Sequence, residues 1–290
     1  MTVAASQRAS FATLLKLGRV SNLPTVWTNV LVGTVLAGGD WRGGRIGLVL
    51  VAMSLFYVGG MYLNDYFDRA VDARERPARP IPAGEISPAA VAAAGAALLA
   101  GAVALMAAAG TAGAVTGVLL ALLILGYDAH HKDVVWAPLV MGACRALVYC
   151  GAAAATGTIA AHVLLPALAC AAYVAGITYA AGRESVDRIG SLWPLALLAA
   201  PLFAASAALL HGAVASAFYL ALTVWLASAV YLLVKRPRAG VVSRAVGWLI
   251  AGISLVDAAF LAGAGAIAAA YWAVAGFAVT LVLHKQIAGT

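Results

Sequence analysis

Apolar runs close to twenty residues long, separated by short polar stretches, recur from one end of the chain to the other. A helical run of that length matches the hydrocarbon thickness of a bilayer. The pattern predicts spans at 22–39, 46–64, 88–109, 111–126, 138–156, 161–181, 192–210, 213–234, 245–263 and 266–284, ten segments in all. Small residues are frequent within them, and Gly alone numbers 30. Side chains of that size let helices approach closely in lipid, where packing replaces the hydrophobic drive. Residues 1–17 are Ala- and Ser-rich and weakly basic, with no apolar core leading to a cleavage site, so no removable leader is expected. There is no Pro- or Ser-rich linker, and residues 1–290 are expected to form a single polytopic membrane domain.

Composition agrees with an all-α integral membrane protein. Of 290 residues, 64% are apolar and only 10% charged, where a soluble domain carries about a quarter charged. The net charge of +7 raises the question of a nucleic-acid partner. The placement of the charges excludes it. With the N-terminus inside, the loops after spans two, four, six and eight, together with both ends, hold 15 of the 18 Lys and Arg, all but Arg42, Arg45 and Arg145. They also hold nine of the 11 acidic residues, all but Asp40 and Asp257. That is the positive-inside asymmetry of a multi-pass protein, and it puts the candidate chemistry on the cytoplasmic side of the cell's inner membrane. Cys144, Cys150 and Cys170 fall inside apolar runs without metal-ligand spacing and read as small buried side chains.

The densest chemistry lies in Tyr62–Gly84, YLNDYFDRAVDARERPARPIPAG. Asp65, Asp68 and Asp72 step by three and four residues, so on a helix they share one face. Carboxylates so close repel one another unless a cation sits between them. Mg²⁺ takes oxygen ligands, commonly one or two carboxylates plus substrate phosphates. The planar forks of Arg74, Arg76 and Arg79 match phosphate oxygens. The plainer reading of such a stretch is a charged loop that anchors a helix end. The full pattern resembles the first Asp-rich motif of the UbiA superfamily of intramembrane prenyltransferases, NDxxDxxxD followed by RPIPxG, here Asn64 through Asp72 and Arg79 through Gly84.

Two further loops carry the resemblance. Tyr127-Asp128-Ala129-His130-His131-Lys132-Asp133 ends span four, where the family has a Tyr followed by a Lys that reaches the diphosphate; His131 stands four residues after Tyr127 and Lys132 five. Gly182–Gly190, GRESVDRIG, occupies the place of the second Asp-rich motif, with Gly182, Ser185 and Val186 where carboxylates are usual and only Glu184 and Asp187 remaining. Either those two acids hold a second metal, or Arg183 and Arg188 replace its charge, or the loop is structural. Met141–Leu147 places Arg145 inside span five, and Asn22-Leu23-Pro24-Thr25 opens span one. With the YDAxxK loop and the GRxE form of the third loop, these resemble EboC-like UbiA proteins. An intramembrane charge faces a cavity or a partner, so Arg145 points at the diphosphate pocket or makes a structural salt bridge or hydrogen bonds to backbone carbonyls. Asp257, in span nine, reads as a helix–helix hydrogen-bond partner.

The resemblance, which weakens beyond Gly190, implies a bundle of nine transmembrane helices around a cytoplasm-facing cavity, one fewer than the ten segments; the surplus is expected after Ser191. It also implies transfer of a prenyl group from an isoprenoid diphosphate to an aromatic or other lipophilic acceptor. In that reading Asn64, Asp68 and Asp72 hold Mg²⁺, joined by Glu184 and Asp187. Asp65, Arg79 and Lys132 act at the departing diphosphate, while Arg74, Arg145, Arg183, Tyr127 and Asn22 contact substrate. Tyr62, Tyr66, Phe67 and Tyr149 are candidates to face an allylic cation. Two alternatives share the pattern: a UbiA-like terpene cyclase, and a non-catalytic membrane protein with a depleted second motif.

Overall fold

The computed structural model describes residues 10–132, 134–182, 187, 190–235 and 240–287. Every predicted span is helical. In chain order the helices are α1 (Phe11–Leu17), α2 (Leu23–Leu36), α3 (Gly44–Glu75), α4 (Pro88–Ala108), α5 (Thr111–His130), α6 (Ala137–Thr156), α7 (Ala161–Ala181), α8 (Ala200–Ala204), α9 (Gly212–Lys235), α10 (Val241–Gly263) and α11 (Ile267–His284). Among the described residues, nine segments are long and apolar enough to cross a membrane. The one that falls short is α2, whose 14 residues extend about 21 Å against a hydrocarbon core of about 30 Å. By that measure the surplus expected after Ser191 is not found there. Beyond Ser191 all four segments remain, but Trp193–Leu210 is a 3₁₀ turn, the short α8 and a second 3₁₀ turn.

The centre of the bundle is α10, which packs against α2, α7, α9 and α11 and is buried along most of its length. Its neighbour α2 is enclosed by α3, α6, α10 and α11. A helix apolar all round belongs in such a position, and polar side chains there must find partners inside the protein. Asp257 is fully buried; it accepts from Asn29 Nδ2 of α2 at 2.7 Å and from the Tyr149 hydroxyl of α6. The expected helix–helix role of Asp257 holds.

Local signals place the ends of α3 and α4. Helix α3 begins after Gly43 and runs on past the predicted span, so the whole NDxxDxxxD stretch is helical. Arg76 then leaves helical geometry, and Arg79–Glu85 folds back in a turn closed by Ala83 N–H to Arg79 O (2.9 Å) and Glu85 N–H to Pro80 O (2.9 Å). Gly84 sits there at φ 74°, a conformation that a side chain resists. Ser87 caps α4 through Ala90 N–H, with Pro88 in the first turn. Over this turn lies α1: Leu17 packs with Tyr62 and Val91, flanked by Ile81 and Ile86. The Thr13 hydroxyl donates to Glu85 at 2.7 Å, and Tyr62 OH donates to Leu14 O at 3.2 Å.

Candidate functional site

The face predicted from the Asp spacing exists, and the protein's own cations occupy it. Asp65, buried, accepts from Arg79 Nη1 at 2.6 Å and from Arg19 Nη2 at 3.1 Å. Arg79 also stands 3.6 Å from Asp72. The returning turn after α3 is what brings Arg79 within reach of two carboxylates about one and about three turns up the helix. Burial and the neighbouring Arg19 lower the Arg79 pKa, and the two carboxylates oppose that shift. One turn along, Asp68 meets Lys132 Nζ at 2.8 Å and His131 Nε2 at 3.5 Å. The His131 ring stacks on Tyr127, centroids 4.7 Å apart. Burial alone would push the His131 pKa down; the Asp68 carboxylate outweighs it, and the net shift is upward. The position four residues after Tyr127 is thus filled by a histidine facing Asp68, with Lys132 beside it.

Asn64 joins the same cluster. Its Oδ1 accepts from Arg19 Nη2 at 3.3 Å, and its amide donates to Asp128 Oδ1 at 3.3 Å. Asp128 Oδ2 is buried and has no hydrogen-bond partner among the described residues. A cavity of about 570 Å³ opens here, lined by Phe67, Asp68, Asp128, His130, Lys132 and Trp136 among others.

Other expected site residues lie elsewhere. Arg74 is exposed in the last turn of α3. Asn22 bonds Tyr57 OH (3.1 Å) and His284 Nε2 (2.7 Å), tying α2 to α3 and α11. Arg145 turns to α2, donating to Asn29 Oδ1 (2.8 Å) and Thr25 Oγ1 (3.1 Å), with its guanidinium over the Tyr57 ring. Its observed partners are neutral side chains, so among the described residues the structural salt bridge weighed for it is absent. Both Asp187 oxygens accept backbone N–H groups, of Gly240 (2.9 Å) and Val242 (3.0 Å), at the start of α10. Arg183, Glu184 and Arg188 lie outside the described residues. Of the four aromatics, Phe67 lines the cavity, whereas Tyr149 is buried on Asp257, Tyr62 is covered by α1, and Tyr66 stacks under Arg69.

Sequence reading missed two members of the cluster. Arg19 adopts a left-handed conformation (φ 41°, ψ 46°) between α1 and α2, and nothing in its local sequence marks it as facing a motif 45 residues away. Asp128 was legible only as a neighbour of Tyr127. The assembled donors are hard oxygens from carboxylates and an amide, which suits Mg²⁺ rather than zinc. Among the described residues, no three His, Cys, Asp or Glu side chains already converge as a closed metal cage. An orphaned buried carboxylate oxygen beside Asn64 and Asp68 leaves room in the bonding for a cation.

Comparison with known proteins bears on the family and the fold. The model of the UbiA prenyltransferase family matches residues 26–240. Digeranylgeranylglyceryl phosphate synthase of Methanopyrus kandleri is 42% identical over 74 residues, 26% of this chain and 27% of that protein. The enzyme of the same name from Methanothrix thermoacetophila is 42% identical over 77 residues, 26% of this chain and 29% of that protein. The matched stretch thus spans little more than a quarter of these relatives' length. In fold, the chain is similar to a UbiA homologue from Aeropyrum pernix K1 (TM-score 0.67, 20% identity, 84% of this chain and 96% of that one). It is also similar to a UbiA homologue from Archaeoglobus fulgidus bound to GPP and Mg²⁺ (TM-score 0.53, 13% identity, 91% of this chain and 99% of that one).

Proposed function

This chain belongs to the UbiA prenyltransferase family and is a multi-pass membrane protein, and on that premise we propose that it transfers a prenyl group from an isoprenoid diphosphate to a lipophilic acceptor with Mg²⁺. The observation that carries the reading is the Asp65–Asp68–Asp72 face, held by Arg79 and Lys132, with Asp68 and Lys132 at the wall of a cavity. Asn64, Asp68 and Asp72 would hold the metal. When bound, Mg²⁺ neutralises charge on the departing diphosphate. Arg79 and Lys132, whose charges rest on the carboxylates, would exchange them for diphosphate oxygens while Arg19 stays on Asp65. Breaking the allylic C–O bond sends its electron pair to the diphosphate; the acceptor's electron pair then bonds the carbon, and the acceptor loses a proton. Phe67 on the cavity wall offers a ring face to the cation, and the bundle interior keeps water away.

The orientation we propose has the N-terminus and the cavity on the cytoplasmic side of the inner membrane, from the charge asymmetry. The acceptor we favour is aromatic. The archaeal relatives carry a glyceryl phosphate lipid in their name, and the MGxCR and GRxE stretches resemble the EboC-like branch. Lipid extracts of cells expressing the chain, compared with an Asp68→Ala control, test these together. A prenylated aromatic that disappears in the control supports the reading. A prenylated glyceryl phosphate lipid moves the acceptor class, a free hydrocarbon or terpene alcohol makes the chain a cyclase, and identical extracts remove the catalytic reading.

A further inference from the structure

We propose that Asp128 of α5 supplies a further carboxylate to the metal–diphosphate centre, beside a Gly182–Gly190 loop whose sequence is short of acids. The inference rests on the metal reading above and extends it to a residue outside the Asp-rich motifs.

Three observations converge on it. Asp128 is 5% exposed, and its Oδ2 has no hydrogen-bond partner among the described residues. Leaving a buried carboxylate oxygen unpaired is costly, and such a group calls for an ion or a water. Second, Asp128 is joined to the motif itself: its Oδ1 accepts a hydrogen bond from the Asn64 amide, and it lines the same cavity as Asp68 and Lys132. Third, the loop that the second motif would occupy has few acids to give. Gly182, Ser185 and Val186 stand at its carboxylate positions, which leaves Glu184 and Asp187, and the Asp187 carboxylate is engaged with the first N–H groups of α10.

The lack of a closed cage of acids fits this assignment. Mg²⁺ dehydrates reluctantly and is commonly held by one or two carboxylates with phosphate oxygens and water completing its shell. Asp68 from α3 and Asp128 from α5 would provide two carboxylates from different helices, with the Asn64 amide between them.

The test measures Mn²⁺ retained by the purified full chain in equilibrium dialysis with inorganic diphosphate present. Asp128→Asn preserves shape and the capacity to meet Asn64, and should lower Mn²⁺ affinity by at least about tenfold without lowering the melting temperature of the metal-free chain. Asp128→Cys should shift preference from Mn²⁺ toward the thiophilic Cd²⁺, a readout that a purely structural role would not move and that survives if Asp128→Asn fails to fold. Wild-type Mn²⁺ affinity in Asp128→Asn, or an unchanged Cd²⁺ preference in Asp128→Cys, overturns the inference. Asp68→Asn separates the two levels. If it also retains Mn²⁺ like the wild type, or the wild type retains none, the metal–diphosphate reading itself falls and this inference with it.

Discussion

Asp65 shows how single residues divide the work in this cluster. It is buried and bonded to two guanidinium groups, so it orders the cations, while Asp68 faces the cavity. Arg79 Nη1 alone faces both Asp65 and Asp72, so the other guanidinium nitrogen would be left for diphosphate oxygens, a fork that lysine lacks. Arg79→Lys should therefore raise the KM for an isoprenoid diphosphate about ten- to a hundredfold, the equivalent of roughly 1.5–3 kcal/mol for a hydrogen bond to a charged group. Steady-state kinetics check this, and an unchanged KM would remove Arg79 from substrate binding. Much of this cluster is legible in sequence: i, i+3 and i+4 spacing puts Asp65, Asp68 and Asp72 on one face, and the family resemblance adds Arg79 and Lys132. Arg19 is not, because its reach depends on one left-handed residue and on the docking of α1. Asp187 was read as a ligand from its place in a motif; its actual partners, Gly240 and Val242, are more than 50 residues away and no periodicity shows them.

At the scale of elements, α3 decides where the chemistry sits. Its 32 residues extend about 48 Å, against a hydrocarbon core of about 30 Å, so its acidic C-terminal turns stand clear of the apolar interior. Span prediction placed its apolar half but stopped at 64, since hydropathy falls where the helix does not. The same limit hid the break in Trp193–Leu210, which is apolar throughout and yet not a regular helix. Close helix approach is the other element-level constraint. A side chain at Gly142 of α6 would run into the backbone of Ala171 in α7, whereas one at Gly126 of α5 would meet nothing within 4 Å. Gly142→Val should cost about 1–3 kcal/mol by overpacking, read as a lowered melting temperature in detergent. Gly126→Ala should leave it unchanged or slightly raised. Equal effects at the two sites would contradict the packing of α6 on α7.

For the whole molecule, the charge pattern along the chain and the three-dimensional cluster tell one story: Arg19, the acidic end of α3, the Arg79 turn and the end of α5 meet at one place. Cysteines introduced singly at Ala83 and His130, in a chain freed of Cys144, Cys150 and Cys170, should label from the cytoplasmic side, and at Thr111 and Ala264 from the opposite side. Labelling of Ala83→Cys and His130→Cys from opposite sides would place a bilayer between residues that the fold brings together. The measurement that tests the central claim most directly is diphosphate release by the purified full chain from geranyl, farnesyl or geranylgeranyl diphosphate as Mg²⁺ is titrated, with Asp68→Ala and Asp72→Ala alongside. Release from at least one of these substrates should require Mg²⁺ and fall to background in both variants, each remaining folded and membrane-inserted, because a metal ligand is lost and not core packing. Release that ignores Mg²⁺, or that persists at the wild-type rate in both variants, would contradict the account.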